Sequence, residues 1–113
     1  MTFQEIIDQT RDVIKRFEKI EGKPWGVEGS MIELTKQLGQ LSSKVMMQEE
    51  YYPKDRDQDD PQQYQTSKEK IADELSDILL VVIRLADLYQ INLEKTHLKA
   101  LDEAQKYLDS KNA

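Results

Sequence analysis

Apolar residues recur every three or four positions through four segments of this chain, and no segment alternates apolar and polar residues as a half-buried strand would. This spacing places the apolar side chains of each segment on one helical face, and it predicts helices at about residues 2–21, 30–49, 66–89 and 92–109. The third segment contains LLVVI, which is apolar on more than one side. The pattern predicts an all-α fold, a four-helix bundle in which residues 1–113 form a single domain.

The stretches between the predicted helices have the composition of caps and loops. EGKPWGVEG, with three glycines and a proline, ends the first helix. Ser30 or the residues just before it open the second helix, Thr66 or Ser67 caps the third, and Asn92 caps the fourth. Residues 50–65 contain two prolines and almost no aliphatic side chain, which predicts a mobile loop.

Composition excludes several classes of function. The chain has 22 acidic and 16 basic residues and a net charge of -6, which argues against a nucleic-acid surface. It has no cysteine and one histidine, so a disulfide framework, a thiolate zinc site and a histidine metal cluster are excluded. No apolar run resembles a signal peptide or is long enough to span a bilayer, so we expect a cytoplasmic protein without a membrane partner.

The third predicted helix also bears on assembly. A helix that is apolar on more than one side would leave an apolar patch on a monomer. We therefore expect an oligomer, either a homodimer or a dimer of dimers.

The same helix carries the carboxylates of greatest interest. Glu74 and Asp77 are three residues apart, so they lie on one helical face and could reach the same ion. Magnesium takes oxygen ligands, usually a few carboxylates together with waters and substrate phosphates. Acids at this spacing more often form a solvated face, but these two lie directly beside LLVVI.

A resemblance to a known family sharpens this expectation. A helix with GxL, a polar loop, the segment ADELSDILLVVIRLADLYQINLE and a closing helix with a lysine and a tyrosine resemble the MazG-like all-α nucleoside triphosphate pyrophosphohydrolases. The likeness is to the short single-domain members similar to dCTP pyrophosphatases, and it covers roughly residues 3–108. The resemblance implies cleavage of a nucleoside triphosphate to a monophosphate and pyrophosphate with magnesium.

The resemblance also exposes a departure from the family pattern. The family signature is EExxE on one helix and ExxD on the next, and Glu74 and Asp77 match the second half. In the first half, KQLGQL puts Lys36, Gln37 and Gln40 at the three glutamate positions. Glutamine can still coordinate through its amide oxygen but contributes no charge, so we expect magnesium binding to be weak or absent.

Other residues have alternative roles in this comparison. Glu33, on the face of Gln37 and Gln40, and Glu103 on the last helix are candidate replacement ligands, and a surface acid is the plainer interpretation of Glu33. Lys36 and Lys99 are candidate phosphate contacts. Tyr107 is another, or else a core residue.

Aromatic residues, one histidine and one arginine complete the set of candidates. Trp25 could stack on a nucleobase or cap the end of the bundle, and Tyr51 and Tyr52 could close over a ligand or anchor the loop. His97 has no identified partner and is assigned no catalytic role. Arg84 could pair with a buried acid across a subunit interface or lie at the surface.

Three functions remain open at this stage. The first is a pyrophosphohydrolase homologue with a degraded metal site, weak or inactive in catalysis and able to bind a nucleoside triphosphate. The second is an active magnesium-dependent enzyme that uses replacement ligands such as Glu33 or Glu103. The third is a helical scaffold or interaction module without a ligand. No catalytic residue is assigned.

Overall fold

Four α-helices make up the regular structure of the described residues. The computed structural model describes residues 1–51 and 66–113. In chain order the helices are α1 (Phe3–Glu21), α2 (Val27–Gln48), α3 (Ser67–Leu88) and α4 (Leu93–Ser110). No strand occurs within these residues, which confirms the all-α class. Of the predicted loop, everything after Tyr51, including Tyr52, lies outside the described residues.

The ends of α1 are set by its flanking residues. The Thr2 side chain accepts a hydrogen bond from the backbone N–H of Glu5 at 3.1 Å and so satisfies a donor of the first turn. At the other end, Gly22 has a left-handed φ of 73°, and its N–H donates to the carbonyl of Glu18 at 3.0 Å. Glycine adopts this conformation without the strain that a Cβ would introduce, so the helix stops there.

Two of the predicted caps are confirmed. The Thr66 hydroxyl accepts from the N–H of Glu69 at 3.1 Å, at the start of α3. The Asn92 side-chain oxygen accepts from the N–H of Lys95 at 3.0 Å, at the start of α4. Each bond satisfies a backbone donor that the helix itself leaves unpaired.

The second helix begins before Ser30. Gly26 is its cap residue and makes no side-chain cap hydrogen bond, and the first helical residue is Val27. Ser30 lies one turn inside, where its N–H donates to the carbonyl of Gly26 at 2.9 Å and its side chain is fully buried. Ser30 is therefore an interior residue of the helix, and the opening falls to the residues just before it.

The chain divides into two compact units. The terminal unit consists of Met1–Pro24 and Ile83–Ala113, and the central unit consists of Trp25–Val82. The terminal unit contains α1, the end of α3 and α4, and its buried apolar residues are Ile7, Ile14, Ile83 and Ala86. The central unit contains α2 and most of α3, with Met47 and Val81 as buried apolar residues.

A bidentate ion pair joins two helices within the terminal unit. Arg11 of α1 donates from Nε to Asp87 Oδ2 and from Nη2 to Asp87 Oδ1, both at 2.7 Å. The hydrogen bond with Asp87 raises the pKa of Arg11. Two parallel bonds hold the guanidinium in one orientation, so the pair defines how α1 and the end of α3 meet.

Among the described residues, none of the helices combines the length and the apolar character needed to cross a bilayer.

Candidate metal centre

Three carboxylates on α3 gather at one point of the central unit. Asp73, Glu74 and Asp77 each offer an oxygen, and the three oxygens lie within 4.8 Å of one another. Helical geometry explains this, because Asp77 follows the other two by one turn and shares their face. All three residues are only partly exposed. Sequence reasoning identified Glu74 and Asp77 and missed Asp73, although its four-residue spacing from Asp77 was a usable signal.

The acids perturb one another electrostatically. Burial is the main cause of a raised pKa for Glu74, and the negative charges of Asp77 and Asp73 raise it further. Burial likewise raises the pKa of Asp77, with Asp73 and then Glu33 adding to the effect. A cluster whose carboxyl groups resist ionisation is one in which a bound cation would be favourable.

Positive charges from α2 oppose these shifts. Lys44 and Lys36 both lower the pKa of Glu74, and Lys36 also lowers that of Asp77. Lys36 itself is exposed. Lys36 thus lies close enough to these acids to compete electrostatically with a cation.

Two buried side-chain oxygen atoms, one on α2 and one on α3, lack a hydrogen-bond donor among the described residues. Gln37 Oε1 and Glu74 Oε2 are both buried, and neither accepts a hydrogen bond from the part of the chain that the structure describes. Buried acceptors are normally satisfied, and leaving one unpaired costs about 1–3 kcal/mol. Carboxylate and amide oxygens are ligands of hard divalent cations, so this donor set fits magnesium or manganese.

The other positions on α2 are less directly involved. Gln40 is exposed, unlike Gln37, which is partly buried. Glu33 is also partly buried, and its charge raises the pKa of Asp77, which places it near the cluster. Glu33, one of the two replacement ligands considered from the sequence, therefore lies near the acids of α3.

The aromatic candidates differ in their surroundings. Trp25 is partly buried and lies against the start of α2, where a Cβ built on Gly29 would be 3.0 Å from Trp25 Cε3. Glycine at that position lets the indole ring approach the helix backbone. Tyr51 is exposed. The proximity of Trp25 to Gly29 is a packing contact.

The candidates on α4 belong to the terminal unit. Lys99, Glu103 and Tyr107 follow one another at four-residue intervals, so they share one face of the helix, and all three are exposed. Lys111 Nζ lies 5.8 Å from the centroid of the Tyr107 ring. The exposure of Tyr107 excludes the alternative that it packs in the core of this chain.

The histidine and the buried arginine differ in exposure. His97 on α4 is exposed. Arg84 on α3 is 6% exposed, so a surface role is wrong for this chain. Burying a charged side chain is unfavourable unless polar or oppositely charged groups interact with it. Arg84 is therefore interpreted as a structural residue.

One recess was not anticipated from the sequence. It lies in the terminal unit beside the Arg11–Asp87 pair and has a volume of about 510 Å³. Its other lining residues include Lys15, Gln90 and Asn92. None of the residues proposed for nucleotide or metal binding lines it, and no motif in the sequence pointed to it.

Comparisons with known proteins add no relative. The sequence matches no family model, and it shows no significant similarity to a curated protein or to a solved structure.

Proposed function

We propose that this chain is a homologue of the MazG-like nucleoside triphosphate pyrophosphohydrolases in which the cation site is weakened. In this proposal it binds a magnesium–nucleotide complex and hydrolyses it poorly. The observation that carries the proposal is the meeting of three carboxylate oxygens within 4.8 Å on α3. The retained Glu74 and Asp77 supply two of them, in agreement with the motif DELSD.

The roles of the chain's own residues follow from their chemistry. Asp73, Glu74 and Asp77 would hold the cation, and the buried amide oxygen of Gln37 would be a neutral fourth donor. A bound magnesium ion would supply charge neutralisation for the phosphates and orientation of an attacking water. The lysine at position 36 would contact phosphate or repel the ion, depending on whether nucleotide is bound.

The missing charges of the site are the reason to expect weak catalysis. The family pattern places glutamates where this chain has Lys36, Gln37 and Gln40, and an amide contributes no Coulomb attraction. Two unit charges at about 4 Å interact by about 1 kcal/mol in water and about 4 kcal/mol near a protein surface, so each missing carboxylate weakens cation binding measurably.

An active enzyme is the second candidate, and a specific observation favours it. Asp73 adds a carboxylate that the motif comparison did not count, and Glu33 lies near Asp77. If these two acids replace the missing glutamates, the total charge of the site approaches that of the family pattern.

Pyrophosphate release distinguishes the two candidates. The natural chain is assayed with a panel of ribo- and deoxynucleoside triphosphates, with magnesium and with manganese, beside the triple variant Lys36→Glu/Gln37→Glu/Gln40→Glu. We expect little or no turnover by the natural chain and turnover at least tenfold higher in the triple variant. Adding Asp77→Asn to the triple variant should abolish the gained activity, which controls for a contaminating hydrolase.

Each result has a clear meaning. Robust turnover by the natural chain would refute the weakened site and favour the second candidate. Nucleotide-dependent thermal stabilisation without turnover would support the binding part of the proposal. No turnover in either protein together with no nucleotide-dependent stabilisation would refute both candidates and leave a scaffold without a ligand.

A further inference from the structure

The recess of the terminal unit has an apolar floor. Its volume of about 510 Å³ lies within the range of roughly 300–1,000 Å³ that is usual for small-molecule sites. Ile7, Ile83 and Ala86 line it and are buried. Ile91 and Leu93 add apolar surface where the recess opens, and Ile91 is 47% exposed. A ligand in the recess would therefore place an apolar group against these side chains.

The charged groups of the recess leave an excess of one positive charge. Its charged lining residues are Arg11, Lys15 and Asp87. Arg11 and Asp87 neutralise each other through their bidentate pair, so Lys15 supplies the excess. Asp8 also pairs with Arg11, at 3.0 Å, but it does not line the recess. In a chain with a net charge of -6, this recess is a place where an anion is favoured.

Hydrogen-bond donors predominate among the uncharged polar groups of the recess. The side-chain oxygen of Asn92 accepts from the first turn of α4, so the group that it can offer a ligand is its NH₂. Gln90 also lines the recess and offers a second amide. Gln4 is the opposite case, because its NH₂ donates to Asp8 at 3.0 Å and its oxygen remains to accept. Together with the ammonium group of Lys15, these amides suit a ligand with an acceptor-rich end.

Gln90 lines the recess at a conformational cost. Its φ is 56°, in the left-handed region that glycine adopts most easily. It directly follows the end of α3, where the N–H of Ile91 donates to the carbonyl of Ala86 at 2.8 Å. Glycine is the usual residue at this position of a helix end. A glutamine here gives up some stability and brings an amide to the recess, as strained residues at ligand sites often do.

We propose that this recess binds a small organic carboxylate. Lys15 and the amides of Gln90 and Asn92 hold the carboxylate, and the apolar body of the ligand packs against Ile7 and Ile83. A single negative charge matches the single excess positive charge, whereas a nucleoside triphosphate carries several negative charges. The inference is independent of the nucleotide function proposed above, because no residue assigned to the metal centre or to nucleotide binding lines the recess.

Nuclear magnetic resonance on the natural chain tests the class of ligand. The probe is hexanoate, and hexylamine, protonated at neutral pH, has the same alkyl chain with the opposite charge. We expect hexanoate to shift the δ1-methyl signals of Ile7 and Ile83 saturably. It should bind at least tenfold more tightly than hexylamine, because Lys15 attracts only the anion. Leu101 and Leu108 are exposed on α4 outside the recess, so their methyl signals report non-specific binding of the alkyl chain.

The role of the lysine is tested by removing its charge. Lys15→Gln should weaken hexanoate binding about tenfold, the factor that corresponds to about 1.4 kcal/mol. The matched control is Lys23→Gln, which makes the same chemical change at an exposed position outside the recess. We expect the control to bind hexanoate as the natural chain does. Both substitutions are at exposed positions, so both variants should fold.

The role of Gln90 is tested by separating stability from binding. Gln90→Gly should raise the melting temperature of the free protein, because glycine adopts the positive φ without strain. The same variant should bind hexanoate about fivefold more weakly, because it lacks one hydrogen bond to the carboxylate. The matched control is Glu50→Gly, at another left-handed position, with a φ of 62°, outside the recess. It should also raise the melting temperature, but it should leave hexanoate binding unchanged.

Several results would overturn the proposal. If hexanoate leaves the signals of Ile7 and Ile83 unchanged, the recess is not its site. Equal affinity for hexylamine, or natural affinity in Lys15→Gln, would refute the selection of an anion by the lysine. Tighter binding of inorganic phosphate than of hexanoate at the same signals would refute the organic carboxylate. Unchanged binding in Gln90→Gly would refute the part assigned to that amide.

Discussion

Replacing Asp73 by asparagine tests whether the third carboxylate of the α3 cluster contributes to cation binding. Its oxygen lies within 4.8 Å of those of Glu74 and Asp77, so the substitution removes one of three neighbouring charges and keeps the side-chain size. A neutral amide oxygen remains available for coordination. The expected loss is therefore mainly electrostatic.

The magnitude follows from Coulomb's law. Two unit charges about 4 Å apart interact by about 1 kcal/mol in water, so a divalent ion and a carboxylate interact by about 2 kcal/mol. The partial exposure of Asp73 argues for this solvent-screened value over the larger interior one. Since about 1.4 kcal/mol corresponds to a factor of ten, Asp73→Asn should weaken manganese binding about thirtyfold.

Manganese is a suitable probe because the free ion can be followed by electron paramagnetic resonance. The matched control is Asp12→Asn, which makes the same chemical change at an exposed position of α1 in the other unit. We expect the control to bind manganese as the natural chain does. If Asp73→Asn also binds normally while Asp77→Asn loses the ion, Asp73 is not part of the site. If all of these proteins bind equally, the α3 cluster is not the metal centre.

Three further predictions concern stability. In metal-free protein, Glu74→Gln should raise the free energy of unfolding at neutral pH, because the raised pKa of Glu74 means that its charge destabilises the fold. In urea titrations this gain should fade as the pH falls below the ordinary pKa of 4.5, and a gain independent of pH would contradict the prediction. Arg11→Ala should lower the free energy of unfolding by about 1 kcal/mol, because it removes the ion pair with Asp87. Arg11→Lys keeps the charge but not the bidentate hydrogen bonds, so it should lose less stability than Arg11→Ala. Equal losses in the two variants would show that the bidentate geometry does not contribute. Gly22→Ala should destabilise the protein by about 1 kcal/mol, because Gly22 has a positive φ that alanine adopts only with strain. Gly39→Ala should stabilise the protein by a similar amount, because Gly39 lies inside α2 and a Cβ there meets nothing within 4 Å. Thermal melts measure both effects, and changes of the same sign would refute the role assigned to the backbone conformation.

The helices themselves could be predicted because periodicity and capping are local properties. The apolar spacing predicted four helices, and Thr66 and Asn92 cap α3 and α4 through bonds to residues three positions later. Ser30 shows the limit of such local reasoning. Its side chain is a good cap by type, but α2 begins at Val27, and Ser30 is a fully buried residue inside the helix.

The candidate site was harder to predict because its properties depend on contacts between distant segments. The spacing of Glu74 and Asp77 was visible in the sequence, and that of Asp73 was equally visible but had no family position to draw attention to it. The effect of Lys36 on these acids depends on how α2 and α3 pack, which periodicity does not specify. The Arg11–Asp87 pair joins residues 76 positions apart and has no local signal.

The lysines of α2 make cation binding at this cluster a competition. Lys36 lowers the pKa of both Glu74 and Asp77, and Lys44 lowers that of Glu74, so the positive charge already favours the ionised acids when no metal is bound. A divalent ion bound at the cluster would be repelled by these lysines, and this repulsion would offset part of its attraction to the carboxylates. A triphosphate brings negative charge of its own, which relieves that repulsion. Under the proposed function, the cluster would take its cation together with a nucleotide, and free magnesium should bind more weakly than the magnesium–nucleotide complex.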